Sequence, residues 1–279
     1  MKNLGYYNGT VSELENLTVS ANDRAFYFGD GVYDAVMCRN NIPYLLDLHI
    51  DRIYKNCTLL DINPPIDKTE LKNLICDLVK KVDAKEKFVY FHISRGTMLR
   101  DHAYGSLVGN LFISITERTT ADHSEKMKCT LAKDIRYEMC NIKTLNLLPS
   151  VLTAQQSKIN ACDEAIMYRS ESFVTEGSHS NVSILKNGTL ITAPSDNYIL
   201  PGVTRAHLLK IAYQNKIPVE ERRYSISELL NADEIIISSS SKMARGVSHI
   251  DGSPVGGKDE KLLSLFRDNI YNNYINATT

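Results

Sequence analysis

Hairpin signals at three of the Asn-Gly and Asp-Gly dipeptides constrain this chain more than any other feature of its sequence. They occur at Asn8-Gly9, Asn187-Gly188 and Asp251-Gly252. Such dipeptides favour the tight turns of β-hairpins, because their residues adopt positive φ at little cost. These hairpin signals outnumber the strand–helix–strand patterns of parallel sheets. The sequence therefore predicts an α+β fold with largely antiparallel sheets.

Helix starts are marked by two capping boxes. Asp67 is followed by Glu70, and Ser225 is followed by Glu228, at the spacing that lets each pair satisfy the first backbone N–H groups of a helix. Further helices are predicted at residues 145–160, 203–213 and 259–274.

A polar, aperiodic segment near the middle of the chain predicts a domain boundary. The length of 279 residues suits one large or two modest domains. We expect an N-terminal α+β domain at 1–118, a linker at 119–126 and a C-terminal α+β domain at 127–279 that carries Lys143.

The composition excludes several classes of protein. The 32 Lys and Arg residues nearly balance the 33 Asp and Glu residues, and no basic cluster indicates a nucleic-acid partner. No apolar segment has the length of a membrane span or the pattern of a signal peptide, so we expect a cytoplasmic protein without a membrane partner. The six cysteines stand singly, which predicts reduced thiols and no metal site.

Three segments have the chemistry of an anion site. The helix predicted to begin at Val203 and Thr204 follows a glycine, and free N–H groups at such a start can bind phosphate. A run of serines, 238–241, follows an apolar strand, and Arg52 lies on an amphipathic helix. Each pattern also has an ordinary explanation: helix initiation, a polar loop or a solvated arginine.

Two other groups could act on a substrate. Lys143 lies in an apolar stretch, where desolvation would favour Schiff-base chemistry, although a lysine that extends to solvent explains the same pattern. Arg100 and His102 lie two residues apart in a loop and could bind a carboxylate, or they could belong to an ordinary surface loop. Glu176 ends a strand just before a glycine, as in many turns.

Taken together, these segments resemble the class IV pyridoxal-phosphate aminotransferases of fold type IV, and among them the bacterial D-amino acid aminotransferases. The similarity runs along the whole chain, in the same order and at compatible spacing. The matching motifs are Phe28-Gly29-Asp30-Gly31-Val32-Tyr33, His49-Ile50-Asp51-Arg52, Arg95-Gly96-Thr97, Ile142-Lys143-Thr144-Leu145-Asn146-Leu147-Leu148, Thr175-Glu176-Gly177-Ser178 and Gly202-Val203-Thr204-Arg205.

The resemblance implies a two-domain enzyme with its active site at the domain and dimer interface, and it assigns cofactor roles. Lys143 matches the lysine that binds pyridoxal 5′-phosphate covalently and transfers the substrate proton. Glu176 matches the carboxylate that pairs with the pyridine nitrogen, and Arg52 matches the phosphate arginine. The remaining phosphate ligands implied by the resemblance are Val203, Thr204, Ser239 and Ser240.

The resemblance also implies a substrate class. Tyr33, Arg100 and His102 match the residues that bind the substrate α-carboxylate in D-amino acid aminotransferases, and Tyr90 matches a further pocket residue. The Arg-x-His loop comes from the partner subunit, which implies a homodimer. The implied reaction is transamination of D-amino acids with 2-oxo acids. Aminodeoxychorismate lyase and branched-chain L-amino acid aminotransferase are the alternatives within the family.

The chain departs from the family pattern at three positions. His179 lies where the relatives carry serine, and Lys242 and Met243 lie where they carry Ser-Glu. These positions lie near the phosphate and the substrate in the family, so the departures concern side-chain preference and leave the expected cofactor unchanged.

Overall fold

The computed structural model describes residues 1–279. It divides into two compact units, each with its own sheet. Unit 1 contains residues 1–120, 142–146 and 275–279, and unit 2 contains residues 121–141 and 147–274. No helix is both long enough and apolar enough to cross a membrane.

Unit 1 is built on a six-stranded, wholly antiparallel sheet with the order β2-β1-β6-β5-β3-β4. Its strands are β1 (Leu4–Tyr7), β2 (Thr10–Glu13), β3 (Gly31–Arg39), β4 (Ile42–Pro43), β5 (Glu86–Ser94) and β6 (Asn110–Glu117). Its helices are α1 (Arg24–Phe28), α2 (Leu46–Leu59) and α3 (Lys68–Leu78), with 3₁₀ turns at Leu14–Asn16 and Val79–Lys81.

The central strands of this sheet position the candidate residues of unit 1. Alternate residues of β5, such as Val89 and Phe91, are fully buried, while Tyr90 and His92 lie on the opposite face. Helix α2 packs against β3 through its apolar face, where Ile50 is buried. From the same helix, His49 and Arg52 contact Asp34 of β3.

Unit 2 is built on a nine-stranded sheet. Its strands are β7 (Met127–Lys133), β8 (Glu164–Ser170), β9 (Phe173–Gly177), β10 (Asn181–Lys186), β11 (Thr189–Thr192), β12 (Val219–Glu221), β13 (Glu234–Ser239), β14 (Met243–Ile250) and β15 (Ser253–Pro254). Its helices are α4 (Leu148–Ile159), α5 (Val203–Gln214), α6 (Ile226–Leu230) and α7 (Glu260–Ala277), the last of which ends in the segment that belongs to unit 1.

The α+β class predicted from the sequence is confirmed. Both capping boxes form, and each of the three predicted turns joins two antiparallel strands. The sequence did not indicate the three parallel pairings of unit 2, which join β7 to β8, β7 to β14, and β11 to β12. Partners in these pairs are far apart in sequence, so no local turn marks them.

The lysine segment differs from its prediction in two ways. Residues 142–146 group with unit 1, whereas the predicted boundaries placed them in the second domain. Helix α4 begins at Leu148, three residues after the predicted start. Leu145 instead donates its N–H to the Gly31 carbonyl at 3.0 Å, and Thr144 forms a bridge with Val32. Pairing with β3 therefore takes these residues out of the helix.

Candidate active site

Lys143 lies against the first strand residues of β3. The Tyr33 N–H donates to the Lys143 carbonyl at 2.9 Å, which fixes the backbone of the lysine beside the tyrosine. The Lys143 ammonium lies 4.2 Å from the centroid of the Tyr33 ring. An aromatic face attracts a cation at this distance. The half-buried amine is therefore directed towards Tyr33, which agrees better with a functional lysine than with one extended into solvent.

Arg52 is held by a carboxylate in the interior of unit 1. Its Nε and NH2 atoms each donate to Asp34 of β3 at 2.8 Å, and His49 Nδ1 lies 2.7 Å from the same carboxylate. Asp34 is fully buried. Burial alone would raise the pKa of its carboxyl, but Arg52 and His49 together hold that pKa well below its usual range. The guanidinium is thus fixed in one orientation, unlike that of a solvated arginine.

Tyr33 and Tyr90 belong to a group of rings on one face of the sheet. Their centroids are 5.6 Å apart in a stacked arrangement. His92 stacks on Phe112 with centroids 4.9 Å apart, and burial lowers the pKa of its imidazole to about 4. Burial also raises the pKa of the Tyr90 hydroxyl well above its usual value. Tyr90 and His92 are therefore both uncharged at neutral pH.

Arg100 and His102 lie in an irregular loop of the same unit, and both side chains are exposed. They share one aromatic neighbour, Phe28. The Arg100 guanidinium carbon lies 5.2 Å from the centroid of this ring, and the His102 ring centroid lies 5.1 Å from it. The structure therefore brings the two predicted carboxylate-binding residues together on one surface.

Glu176 is buried at the end of β9 in unit 2, and three donors surround its carboxylate. Arg136 NH1 lies 2.5 Å from Oε1, while the Asn181 side-chain amide and the Leu200 N–H donate to Oε2 at 2.8 and 3.1 Å. Burial raises the pKa of Glu176 to about 7, and the Arg136 guanidinium opposes this effect. Arg136 is itself held by Asp134, which accepts from its NH2 at 2.8 Å.

Asn181 contacts both segments of unit 2 that carry candidate phosphate ligands. Its amide also donates to the Leu200 carbonyl at 2.8 Å, just before the start of α5, and Asn181 is paired in register with Ser238. A Cβ at Gly202 would overlap the Asn181 Oδ1 atom, so only glycine fits this approach. Helix α5 has no side-chain cap at Gly202, and Val203 and Thr204 are its first residues.

The serine run that follows β13 contains an unsatisfied hydroxyl. Ser238 Oγ is buried and has no hydrogen-bond partner in the protein. Ser239 and Ser240 come directly after it and are half-buried, and Ser239 Oγ accepts from the Lys242 N–H at 3.2 Å. A buried hydroxyl without a partner costs free energy unless a ligand or water satisfies it. The Ser238 hydroxyl therefore has hydrogen-bonding capacity that the protein itself does not satisfy.

Two of the three departures from the family pattern, Lys242 and His179, lie beside one buried carboxylate. Lys242 Nζ donates to the fully buried Glu164 carboxylate at 2.7 Å, and His179 Nδ1 lies 3.4 Å from the same group. Ser178 and Ser180 also donate to Glu164. Through Glu164, Lys242 thus connects the end of the serine run with the segment that follows Glu176.

Comparison with known proteins gives the family. Residues 31–250 match the family described as Amino-transferase class IV. The chain belongs to the class IV aminotransferases. It is 37% identical over 254 residues to the D-alanine aminotransferase of Listeria monocytogenes serotype 1/2a (strain 10403S), covering 89% of this chain and 88% of that relative. It is 33% identical over 253 residues to the D-alanine aminotransferase of Bacillus licheniformis, covering 90% and 89%.

A solved structure shares the fold of this aminotransferase. The branched-chain aminotransferase from the thermophilic archaeon Thermoproteus uzoniensis, solved with norvaline, has a TM-score of 0.87 and 21% sequence identity. The match covers 98% of this chain and 96% of that one.

Three residues of the aminotransferase form hydrogen bonds with predicted site residues, but the sequence analysis did not identify them: Asp34, Arg136 and Asn181. Each holds a predicted residue that is 5 to 40 positions away in the chain. One signal could have indicated Asp34, because it is a charged residue in the middle of a mostly apolar strand. Such a residue requires a buried partner.

Proposed function

We propose that this aminotransferase uses pyridoxal 5′-phosphate to exchange the amino group of D-amino acids with 2-oxo acids. A representative reaction is D-alanine plus 2-oxoglutarate giving pyruvate plus D-glutamate. The observation that carries this proposal is the similarity to a D-alanine aminotransferase, which extends across 90% of this chain. The buried Glu176, the fixed Arg52 and the half-buried Lys143 support the same chemistry.

The residues present fit the cofactor. The unsatisfied Ser238 hydroxyl supports the presence of a further polar ligand near the serine run. Arg52, the backbone N–H groups of Val203 and Thr204, and the hydroxyls of Ser239 and Ser240 are the proposed phosphate ligands. Pyridoxal phosphate, when bound, would supply an electron sink for the charge that develops at the substrate Cα.

Lys143 and Glu176 carry the proton chemistry in this proposal. The Lys143 amine would take up the proton from the substrate Cα and hold it for the return transfer. Glu176 would be the carboxylate that holds the ring nitrogen of the cofactor, and its negative charge would favour a proton there. Arg136, Asn181 and the Leu200 N–H fix the orientation of this carboxylate, because they occupy its oxygen atoms at 2.5 to 3.1 Å.

Substrate selection is assigned to Tyr33, Tyr90 and the loop with Arg100 and His102. The carboxylate of the substrate binds Tyr33 and the loop, which the partner subunit supplies. Fixing the carboxylate on one side selects which Cα–H faces Lys143. The Arg-x-His pair is the feature that separates the D-amino acid enzymes from their siblings in the family resemblance.

We also propose that the enzyme is a cytoplasmic homodimer. Four apolar residues on α4 are more than half exposed: Leu148, Val151, Leu152 and Ile159. An exposed apolar stripe of this kind is typical of a surface that a second subunit covers. All six cysteines are free, which agrees with a reducing compartment.

A visible absorption spectrum tests the function. The cofactor-loaded protein is mixed separately with D-alanine, L-alanine and L-leucine. We expect the visible band to bleach with D-alanine alone and to return when 2-oxoglutarate is added. Bleaching by L-leucine would instead assign the branched-chain activity. A yellow protein that responds to no amino acid would exclude transamination and make aminodeoxychorismate the next substrate to test.

A further inference from the structure

Arg24 is a buried cation directly beneath the Arg100–His102 loop. It is the first residue of the short helix α1, and only 3% of its surface is exposed. The side chain of Asp23 accepts from the Ala25 N–H and caps this helix. The Arg24 N–H donates to the Gly96 carbonyl at 3.0 Å. The cap and this backbone hydrogen bond therefore fix the start of α1 next to Gly96, which precedes the loop.

The guanidinium of Arg24 binds the backbone of the loop. Its NH1 atom donates to the Asp101 carbonyl at 2.6 Å and its NH2 atom to the His102 carbonyl at 3.2 Å. Its Nε atom donates to Asp30 at 2.8 Å. A single side chain thus holds two consecutive carbonyls of the exposed segment to the body of unit 1.

The helix holds the side chains of the loop as well. Phe28 lies one turn after Arg24, and its ring contacts both Arg100 and His102. The Arg24 guanidinium carbon lies 4.8 Å from the centroid of the same ring. Arg24 therefore orders the loop directly through its carbonyls and indirectly through Phe28.

Arg24 shares its carboxylate partner with a second buried arginine. Asp30 is shared by two guanidinium groups, those of Arg24 and Arg95, which are both buried. Arg95 also lies over the ring of Tyr104 at 3.7 Å from its centroid. Asp30 therefore holds both guanidinium groups in place near the loop.

We propose that Arg24 is a positioning residue that holds the Arg100–His102 loop in its carboxylate-binding conformation. This inference rests on the proposed function of that loop. A mobile loop would lose conformational entropy each time a substrate is bound, and this loss would weaken binding. The contacts of Arg24 remove that loss before the substrate arrives.

The test compares Arg24→Met and Arg24→Lys with the unchanged enzyme. We expect Arg24→Met to raise the KM for D-alanine and for 2-oxoglutarate about tenfold or more, with kcat changed less than about threefold. We expect Arg24→Lys to give a smaller rise, because an ammonium keeps the charge but cannot reproduce the planar fork. Affinity for pyridoxal phosphate should not change in either variant.

Hydrogen exchange of residues 98–104 supplies a readout that does not depend on activity. Exchange of these amides should be faster in Arg24→Met, while the amides of β5 should exchange as before. The matched control is Arg118→Met, which removes the same charge from an exposed residue of the same unit. If Arg24→Met does not fold, Arg24→Lys decides the question by the same two measurements.

Arg100→Ala separates the inference from the function on which it rests. If Arg100→Ala raises KM but neither Arg24 variant does, the loop binds the carboxylate without help from Arg24, and the inference is overturned. If Arg100→Ala leaves KM unchanged, the carboxylate binds elsewhere, and the proposed function of the loop fails first. A loss of kcat alone in Arg24→Met would also overturn the positioning role.

Discussion

At the scale of single residues, the fixed geometry of Arg52 depends on one buried carboxylate. Asp34 accepts two hydrogen bonds from Arg52 and lies against His49, with none of its own surface exposed. Without its carboxylate charge, the guanidinium would remain inside the protein with only a neutral partner. Removing one partner of such a pair is far more costly than losing an exposed ion pair.

Asp34→Asn is expected to lower the free energy of unfolding by roughly 3–5 kcal/mol and to weaken pyridoxal phosphate binding. Urea unfolding and cofactor titration measure the two effects. The control is Asp47→Asn, which breaks the exposed pair with Lys72 and should cost less than about 1 kcal/mol. Equal losses in the two variants would contradict the buried role of Asp34.

The same pair sets a pH window. The pKa of Asp34 is held well below its usual value, so its contribution to stability is fully present above the ordinary aspartate pKa. It is lost only as the pH falls below that value towards the lowered pKa in the folded state.

Lys143→Ala is expected to reduce transamination by at least about a hundredfold, because the proton acceptor is lost. Noncovalent cofactor binding should persist, since Glu176 and the phosphate ligands are unchanged. Activity assays and cofactor retention after ultrafiltration measure the two effects. Lys261→Ala, at an exposed position of α7, is the matched control. Full activity in Lys143→Ala would disprove the assigned role.

The sequence identified candidate lysine, carboxylate and arginine residues for the site. It did not identify the residues that hold these side chains in place. Lys143, Glu176 and Arg52 lie in short motifs that a family resemblance can match residue by residue. Asn181 and Arg136 act through contacts with residues that are 5 and 40 positions away in the chain. Local pattern carries no information on such pairs, because the fold alone brings them together.

At the scale of elements, β5 carries an imidazole that must stay neutral. Burial lowers the pKa of His92 to about 4, whereas an unfolded histidine titrates near 6.5. Its contribution to stability is therefore complete above the unfolded value. It is lost as the pH falls from about 6.5 towards 4, because the unfolded chain takes up the proton first.

His92→Gln is expected to flatten the pH dependence of unfolding between about pH 6.5 and 4. The full effect of His92 across this window is on the order of 3 kcal/mol. Urea unfolding at several pH values measures it. His249→Gln controls for the loss of an imidazole on another strand. A slope that is unchanged in His92→Gln would show that other groups control acid stability.

Helices with a local start signal agreed with their predictions, whereas contacts between residues far apart in the chain were not predicted. The capping boxes at Asp67 and Ser225 start α3 and α6 as the sequence indicates. The start of α4 was wrong by three residues, because Leu145 pairs with Gly31 instead. The competing strand lies more than a hundred residues earlier in the chain, beyond the reach of any periodicity.

At the scale of the whole molecule, the stripe on α4 predicts the state of assembly. We expect the protein to be a dimer in solution and Leu152→Glu to shift it towards the monomer, because a charge is costly in an apolar interface. Activity should fall with the dimer fraction, since the partner supplies Arg100 and His102 in the proposed mechanism.

Sedimentation velocity at several protein concentrations measures this shift. Leu59→Glu is the matched control, because Leu59 is a leucine of α2 with a similar exposure of 51%. A monomeric unchanged protein with full activity would contradict the proposed assembly.

Because residues 142–146 belong to unit 1, they affect how chimeric proteins can be made from this enzyme and its relatives. Joining residues 1–120 of this chain to the remainder of another family member would combine a tyrosine from one parent with a lysine from the other. The backbone contact between Tyr33 and Lys143 would then be a hybrid. A chimera that preserves the native pairing must therefore also include residues 142–146 from the same parent. The two units cannot be exchanged by a single crossover in the sequence.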